Sequence, residues 1–441
     1  GRGLLPVADP TATMDETPVV TCFLRHRGAV LFLCRSDAVG SYTGQWGGVA
    51  GHVAHESEAA TDPDSTPDEA ARREIAEETG LSDAVTLVRR GDPFPVEDAD
   101  LDRRWLVHPY LFDCASRDVT LDDETTECEW VPPTEILRRS TVPQLWTSYD
   151  QVRPTVGTVA DDRDHGAAYL SVRALEVLRD EAALAAERDA GGWTTIADRA
   201  RDLLAARPSM TVVRNRVNRV MSEADERTPT AVEKSAHEGI ESALAADDAA
   251  ADRAAERVAG DALVTLSRSG TVERALSSAD PERLLVAESR PGGEGVGVAE
   301  RRAEAGDDVT LAPDAALPWL LADGDYDAAL VGADTVLADG RVVNKVGTRA
   351  LALAAAREDI PLYVVAARDK VSPGSDPQLE TADPSTVYDG DADLSVETPL
   401  FDVTPPDLVA GLVTGDGLLD ADAVEAVADD HRDLADWNAK A

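Results

Sequence analysis

The stretch Arg73-Glu74-Ile75-Ala76-Glu77-Glu78-Thr79-Gly80-Leu81 decides how the first third of this chain is read. Its carboxylates fall at i, i+3 and i+4, so a 3.6-residue period sets Glu74, Glu77 and Glu78 on one helix face. Three like charges crowded together destabilise an isolated helix, and a bound divalent cation, Mg²⁺ or Mn²⁺, is the natural partner to offset their repulsion. Gly80 stands where such a helix would stop. The plain alternative is a solvated amphipathic helix in an acidic chain.

Upstream, Trp46-Gly47-Gly48-Val49-Ala50-Gly51-His52-Val53 reads as a glycine-rich strand and turn. Together the two stretches resemble the Nudix box. One position departs from that pattern: the box's first glutamate should stand eight residues before Arg73, where this chain has Ser65. His55 to Thr66 is longer than the family pattern and rich in Asp, Ser and Pro, and reads as a loop insertion. Glu56 and Glu58 are the candidates for the displaced role. The resemblance implies a Nudix α/β/α sandwich that hydrolyses a nucleoside diphosphate linked to another group, such as ADP-ribose or a nucleotide sugar. It assigns Glu74, Glu77 and Glu78 as metal ligands, with Glu74 alternatively a base that orients Glu78 or a water. Arg73 would tie the helix to the acidic insertion through a salt bridge. A further loop carboxylate is expected from Glu124 or Glu127, each of which reads equally well as solvated loop acid.

Composition bounds the rest. The 441 residues suggest two or three domains. The formal net charge is -42, from 84 Asp+Glu against 42 Lys+Arg, and Lys occurs only at Lys234, Lys345, Lys370 and Lys440. This looks like adaptation to molar salt, where charges are screened within about 3 Å. Apolar residues at 43%, in periodic blocks, exclude a disordered acidic chain. A broad basic nucleic-acid surface is disfavoured. Cys22, Cys34, Cys114 and Cys128 lie in or beside apolar runs without C-x-x-C spacing, so buried reduced thiols are expected. No signal peptide, long apolar run or lipidation motif is visible, which points to a cytoplasmic protein without a membrane partner.

Along the chain, the expected divisions are a first domain over 15–149 and a helical connector over 150–192. A helical subdomain over 193–260, a Rossmann-like subdomain over 261–418 and a tail or helix over 419–441 follow. In the first, Val19–Leu24 and Ala29–Cys34 flank the turn at His26-Arg27-Gly28, Val107–Phe112 is a strand, and a short helix is expected over Thr134–Arg139. Later, helix Ala167–Ala190 ends at Gly191-Gly192. Strands Ala262–Leu266, Leu284–Val286, Ala328–Val331 and Leu362–Val365 alternate with helical stretches as βαβ units do. The fold class is therefore multidomain α/β.

Four phrases stand in order in the Rossmann-like part: Glu288-Ser289-Arg290-Pro291, Val331-Gly332-Ala333-Asp334, Val343-Asn344-Lys345-Val346-Gly347-Thr348 and Phe401-Asp402-Val403-Thr404-Pro405-Pro406. With Arg207-Pro208-Ser209-Met210 they resemble the family of initiation factor 2B α/β/δ subunits, which includes ribose-1,5-bisphosphate and methylthioribose-1-phosphate isomerases. Loops at the carboxyl ends of parallel strands form the usual ligand crevice. Arg290 and Lys345 would bring positive charge to a phosphorylated sugar or nucleotide there. Asp334, Asn344 and Lys345 read alternatively as residues that hold the fold or a dimer contact. The family's isomerases use a cysteine and an aspartate. Asp334 matches the aspartate, but Ser267 stands at the cysteine position, and the arginine-glycine-alanine phrase of those enzymes is missing near Met210 to Val220. Both departures favour the non-catalytic, initiation-factor-like branch over an aldose-ketose isomerase. The resemblance also suggests a homodimer and initiation factor 2 as a partner. A translation-associated binding protein with a degenerate Nudix fold is the competing reading of the whole chain.

Overall fold

The computed structural model describes residues 16–53, 66–188 and 191–439. Ser65, Glu56 and Glu58 lie outside the described residues. The chain divides into two compact units, residues 1–153 and 154–441.

The first unit is a mixed sheet crossed by one long helix. Strand β1 (Glu16–His26) runs parallel to β7 (Arg103–Cys114) along ten paired positions. Its other edge pairs antiparallel with β4 (Val49–His52) and, at the hairpin end, with β2 (Ala29–Arg35). The remaining strands are β3 (Trp46–Gly47) and β8 (Thr125–Val131) on β2, and β5 (Val85–Arg90) and β6 (Phe94–Asp98) on β7. The helix expected over 134–139 is instead a 3₁₀ turn, Pro133–Leu137, before α2 (Leu145–Val152).

Helix α1 (Pro67–Thr79) is fixed at both ends by its own sequence. Thr66 and Glu69 form a reciprocal capping box, with Pro67 at the first helical position. Gly80 ends the helix at φ 70° and donates its N–H to the Ala76 carbonyl. Tyr110 and Arg90 both bond Asp68, tying the first turn to β7 and β5. Ala70, Ala71 and Ile75 face the sheet and join Val20, Cys22, Leu24 and Val49 in the core.

The second unit stacks a helical core on a doubly wound sheet. Helices α3 (Val156–Asp161), α4 (Ala167–Glu187), α5 (Trp193–Ala206), α6 (Thr211–Glu223) and the 29-residue α7 (Pro229–Arg257) enclose the first core. The stretch read as a connector thus supplies α4, whose Leu170, Leu175 and Leu178 are buried in that core. The sheet comprises β9 (Ala262–Leu266), β10 (Arg283–Ala287), β11 (Val309–Ala312), β12 (Ala328–Val331), β15 (Leu362–Val365), β17 (Gly411–Thr414) and β18 (Gly417–Leu419). Its order is β11-β10-β9-β12-β15-β17-β18, parallel throughout except for β18. The C-terminal part of α7, with α8 (Gly270–Ala279) and α9 (Glu294–Glu304), covers one face. Helices α10 (Leu317–Asp323), α11 (Thr348–Arg357) and α12 (Ala421–Asp433) cover the other, and α13 (Asp436–Ala439) ends the described chain. A separate antiparallel sheet joins β13 (Thr335–Val336), β14 (Val342–Lys345) and β16 (Phe401–Thr404).

Candidate active sites

In the first unit, α1 carries Glu74, Glu77 and Glu78 at different depths: half-buried, exposed and buried. Glu78 lies on the buried face, 8% exposed, and accepts the Ala50 N–H of β4 at 3.3 Å. Glu74 packs so close to β4 that a Cβ on Gly51 would fall 2.0 Å from its Cδ. Glu77, one turn on from Glu74 in the same helix, is exposed, so the three glutamates sit at different depths. Among the described residues no three His, Cys, Asp or Glu side chains converge at one point.

Burial raises the Glu78 carboxyl well above the usual carboxylate range; the Ala50 N–H opposes this, while Glu74 and Asp122 add to it. Glu74 is raised too, chiefly by burial, against the pull of Arg73 and with Glu77 and Glu124 pushing the same way. Arg73 donates to Glu74 Oε1 at 2.9 Å and to the His52 carbonyl at 2.7 Å, so among the described residues it braces the site itself. Glu124, exposed on the loop before β8, lines the same cavity of about 660 Å³ as Glu74 and Arg73. Glu127 pairs in register with Cys34 and is exposed. The donor set is all oxygen, which is the chemistry a hard cation such as Mg²⁺ or Mn²⁺ takes. The structure supplies that chemistry without a preformed ligand cage. All four cysteines are free thiols, and Cys22, Cys34 and Cys114 are buried.

In the second unit the sheet order reverses between β9 and β12, so their carboxyl ends form the crevice where open α/β sheets bind ligands. Ser267 follows β9 and Asp334 follows β12. Ser267 holds φ 62°, an unusual conformation for a side-chain-bearing residue, and its N–H donates to Ser289 Oγ at 2.6 Å. Gly332 lies against Ser269, the cap of α8: a Cβ there would meet Ser269 Oγ at 2.8 Å. Burial pushes Asp334 up, with Lys370, Lys345 and Arg207 opposing that shift and Glu380 reinforcing it. Lys370 is buried, donates to the Ala333 carbonyl and is itself lowered by burial.

Asn344 and Lys345 do not come from a strand-end loop of the parallel sheet. They sit on β14, where Asn344 pairs with Asp402 and Lys345 with Phe401 of β16, while Asp334 N–H donates to the Val343 carbonyl. Three of the four phrases therefore meet in one small sheet. Lys345, 6% exposed, bonds Glu294 Oε1 at 2.7 Å, and Glu294 Oε2 has no hydrogen-bond partner among the described residues. Asn344 donates to Thr348 Oγ1 at 3.0 Å. Arg290 is solvent-exposed and paired with its neighbour Glu288, so it is not a fixed charge lining a closed pocket. The sequence reading missed Glu294, Glu380 and Asp402. Of these, Asp402 stood inside a quoted phrase; it caps α11 by accepting the Gly347 and Arg349 N–H groups.

The folds define an α/β protein of two compact units, with a carboxylate-bearing helix on the mixed sheet of one and a doubly wound sheet in the other. Residues 15–152 match the NUDIX domain and residues 163–421 match the Initiation factor 2 subunit family. The chain belongs to the initiation factor 2 subunit family through its second unit and carries a NUDIX domain in its first. Ribose 1,5-bisphosphate isomerase of Haloferax volcanii is 33% identical over 291 residues, 61% of this chain and 90% of that protein. Methylthioribose-1-phosphate isomerase of Gemmatimonas aurantiaca is 38% identical over 120 residues, 26% of this chain and 35% of that protein. Among solved structures, translation initiation factor eIF-2B of Pyrococcus horikoshii OT3 superposes with a TM-score of 0.52 at 26% identity, covering 60% of this chain and 94% of that one. Among the described residues no helix is long and apolar enough to cross a membrane.

Proposed function

We propose that the first unit is a pyrophosphohydrolase that uses Mg²⁺ or Mn²⁺ to cleave a nucleoside diphosphate linked to another group, ADP-ribose or a nucleotide sugar being the candidate class. The observation that carries this reading is the placement of Glu74 and Glu78 against Ala50 and Gly51 of β4, with Glu74 and Glu124 in the wall of one cavity. Glu74, Glu78 and Glu124 would hold the metal, with Glu77 joining from the outer side of α1. When bound, the cation supplies charge neutralisation of the diphosphate and a more acidic attacking water. Arg73 holds Glu74 in place through its bond to the His52 carbonyl. The β4 backbone fixes Glu78 through the Ala50 N–H, and Glu74, as the alternative base, would orient Glu78 or the attacking water. Hydrolysis of ADP-ribose, NADH, nucleoside triphosphates and sugar nucleotides in high salt with Mg²⁺ or Mn²⁺ tests this. Turnover that Glu78→Gln abolishes supports it; a panel on which wild type and variant are equally silent sinks it.

For the second unit we infer binding of a phosphorylated sugar or nucleotide in the crevice between β9 and β12. Ser267 favours a binding role over isomerisation, because a hydroxyl without a neighbouring base is a far weaker acid or nucleophile than a thiol. Conversion of ribose-1,5-bisphosphate by purified protein would overturn that assignment. Homodimer formation and contact with initiation factor 2 belong to the same reading, and sedimentation and co-purification test them.

A further inference from the structure

The cavity beside Glu74 has a second end that the cleavage chemistry does not use. Tyr42, Val96, Leu101 and Trp105 line it, and Tyr42 and Trp105 stand with ring centroids 5.8 Å apart at 53°. Tyr42 is anchored by its hydroxyl to Asp98 at 2.7 Å, so the ring is held at the wall. Leu101, at the turn between β6 and β7, is 40% exposed although it lines the cavity. An apolar, aromatic wall with an uncovered leucine at its rim is the surface that a planar heterocycle covers.

Arg35 and Arg103 line the same cavity, and neither forms an ion pair with a described residue. Arg35 spends its Nε on the Ser41 carbonyl at 3.0 Å, and no described residue accepts from its two terminal nitrogens. In a chain of net charge -42, arginines that line a cavity without an ion pair to a described residue mark a place for an external anion. Arg35 ends β2, and its bond to the Ser41 carbonyl sets it beside Tyr42 in the wall of the cavity that Glu74 also lines.

We propose that Tyr42, Trp105 and Leu101 form the nucleobase subsite of this cavity and that Arg35 holds the diphosphate between that subsite and the carboxylates of α1. The inference rests on the hydrolase reading and adds to it the residues that make a nucleoside the preferred half of the substrate. A cavity of about 660 Å³ is in the range for a ligand of nucleotide size.

Calorimetric titration of the full chain with Mg²⁺ tests it, using α,β-methylene-ADP and, as the probe without a base, methylenediphosphonate. Base stacking predicts that the nucleotide binds roughly 10- to 100-fold tighter than the diphosphonate. Tyr42→Ala should bring that ratio to within about threefold of one, Tyr42→Phe should keep it, and the surface change Leu101→Ser should lower it without unfolding the domain. Arg35→Ala should weaken both probes about tenfold or more. Equal binding of the two probes, with both still sensitive to Arg35→Ala, overturns the base subsite and leaves the hydrolase reading standing. A ratio that Tyr42→Ala and Leu101→Ser do not move also overturns it and places the nucleotide elsewhere on the chain. Failure of both probes to bind overturns the subsite and the hydrolase reading together.

Discussion

Glu74 and Gly51 fit together with no room for a methyl group, and the atoms in the way are the carboxylate end of a flexible side chain. Gly51→Ala should therefore cost little stability, less than about 1 kcal/mol, while moving Glu74 off the cavity wall and lowering turnover about 100-fold. Unfolding and kinetics measured on the same preparation separate the two effects. His431, 1% exposed, offers a pH prediction in the second unit. Burial lowers its pKa below 6.5, Asp369 and the Val371 carbonyl oppose that shift, and Arg219 and Arg368 add to it. Above about pH 6.5 both folded and unfolded chains carry neutral imidazole, so His431 does not affect stability there. Below it the unfolded chain takes the proton first, and stability falls by up to about 1.4 kcal/mol per pH unit until the folded pKa is passed. Urea unfolding of the second unit should show that acid-side slope, and His431→Gln should flatten it.

At the level of elements, Arg216 of α6 joins three pieces that are far apart in sequence. It is 2% exposed and pairs with Asp369 after β15 and with Asp247 of α7, while also bonding Ser171 of α4. Arg216→Met would leave Asp247 without this partner and Asp369 with Arg219 alone, at a cost of about 3 kcal/mol, read as a lower urea midpoint of the second unit. Legibility in sequence follows the range of the signal. Helix α1 was readable from the spacing of Glu74, Glu77 and Glu78 and from Gly80, while its start at Thr66, Pro67 and Glu69 was not read; β9, β10, β12 and β15 were readable as short apolar runs, β11 and β17 were not. The pairing of Asn344 with Asp402 was not readable, because strands of four residues, β14 and β16, carry too little periodicity and lie far apart in the chain. For the same reason Lys345 of β14 could be named, whereas its partner Glu294, on helix α9, could not. Glu77 and Glu78 differ by one position, and only the packing of α1 on β4 shows which of them faces the core.

Across the whole molecule, charge outweighs every other feature. With net -42 the folded chain repels itself, and that repulsion reaches about 10 Å at 0.1 M salt but only about 3 Å at 1 M. Thermal midpoints of both units should therefore rise between 0.1 M and 2 M KCl; a flat or falling response would remove the reading of the acidity as salt adaptation. Each unit carries a candidate site of its own kind, one with the carboxylates of α1 beside an arginine-lined cavity and one at the switch point of a doubly wound sheet. Both were visible as motifs, but the cavity wall that selects a substrate was not, since Tyr42, Leu101 and Trp105 belong to no phrase and come together only through the fold. The central claim is that the first unit hydrolyses a nucleoside diphosphate derivative through the carboxylates of α1. Its most direct test is turnover of ADP-ribose and sugar nucleotides by wild type and Glu78→Gln, in high salt with Mg²⁺ or Mn²⁺. The account predicts cleavage by the wild type and a loss of at least about 100-fold in the folded variant; no cleavage by either, or equal cleavage by both, would contradict it.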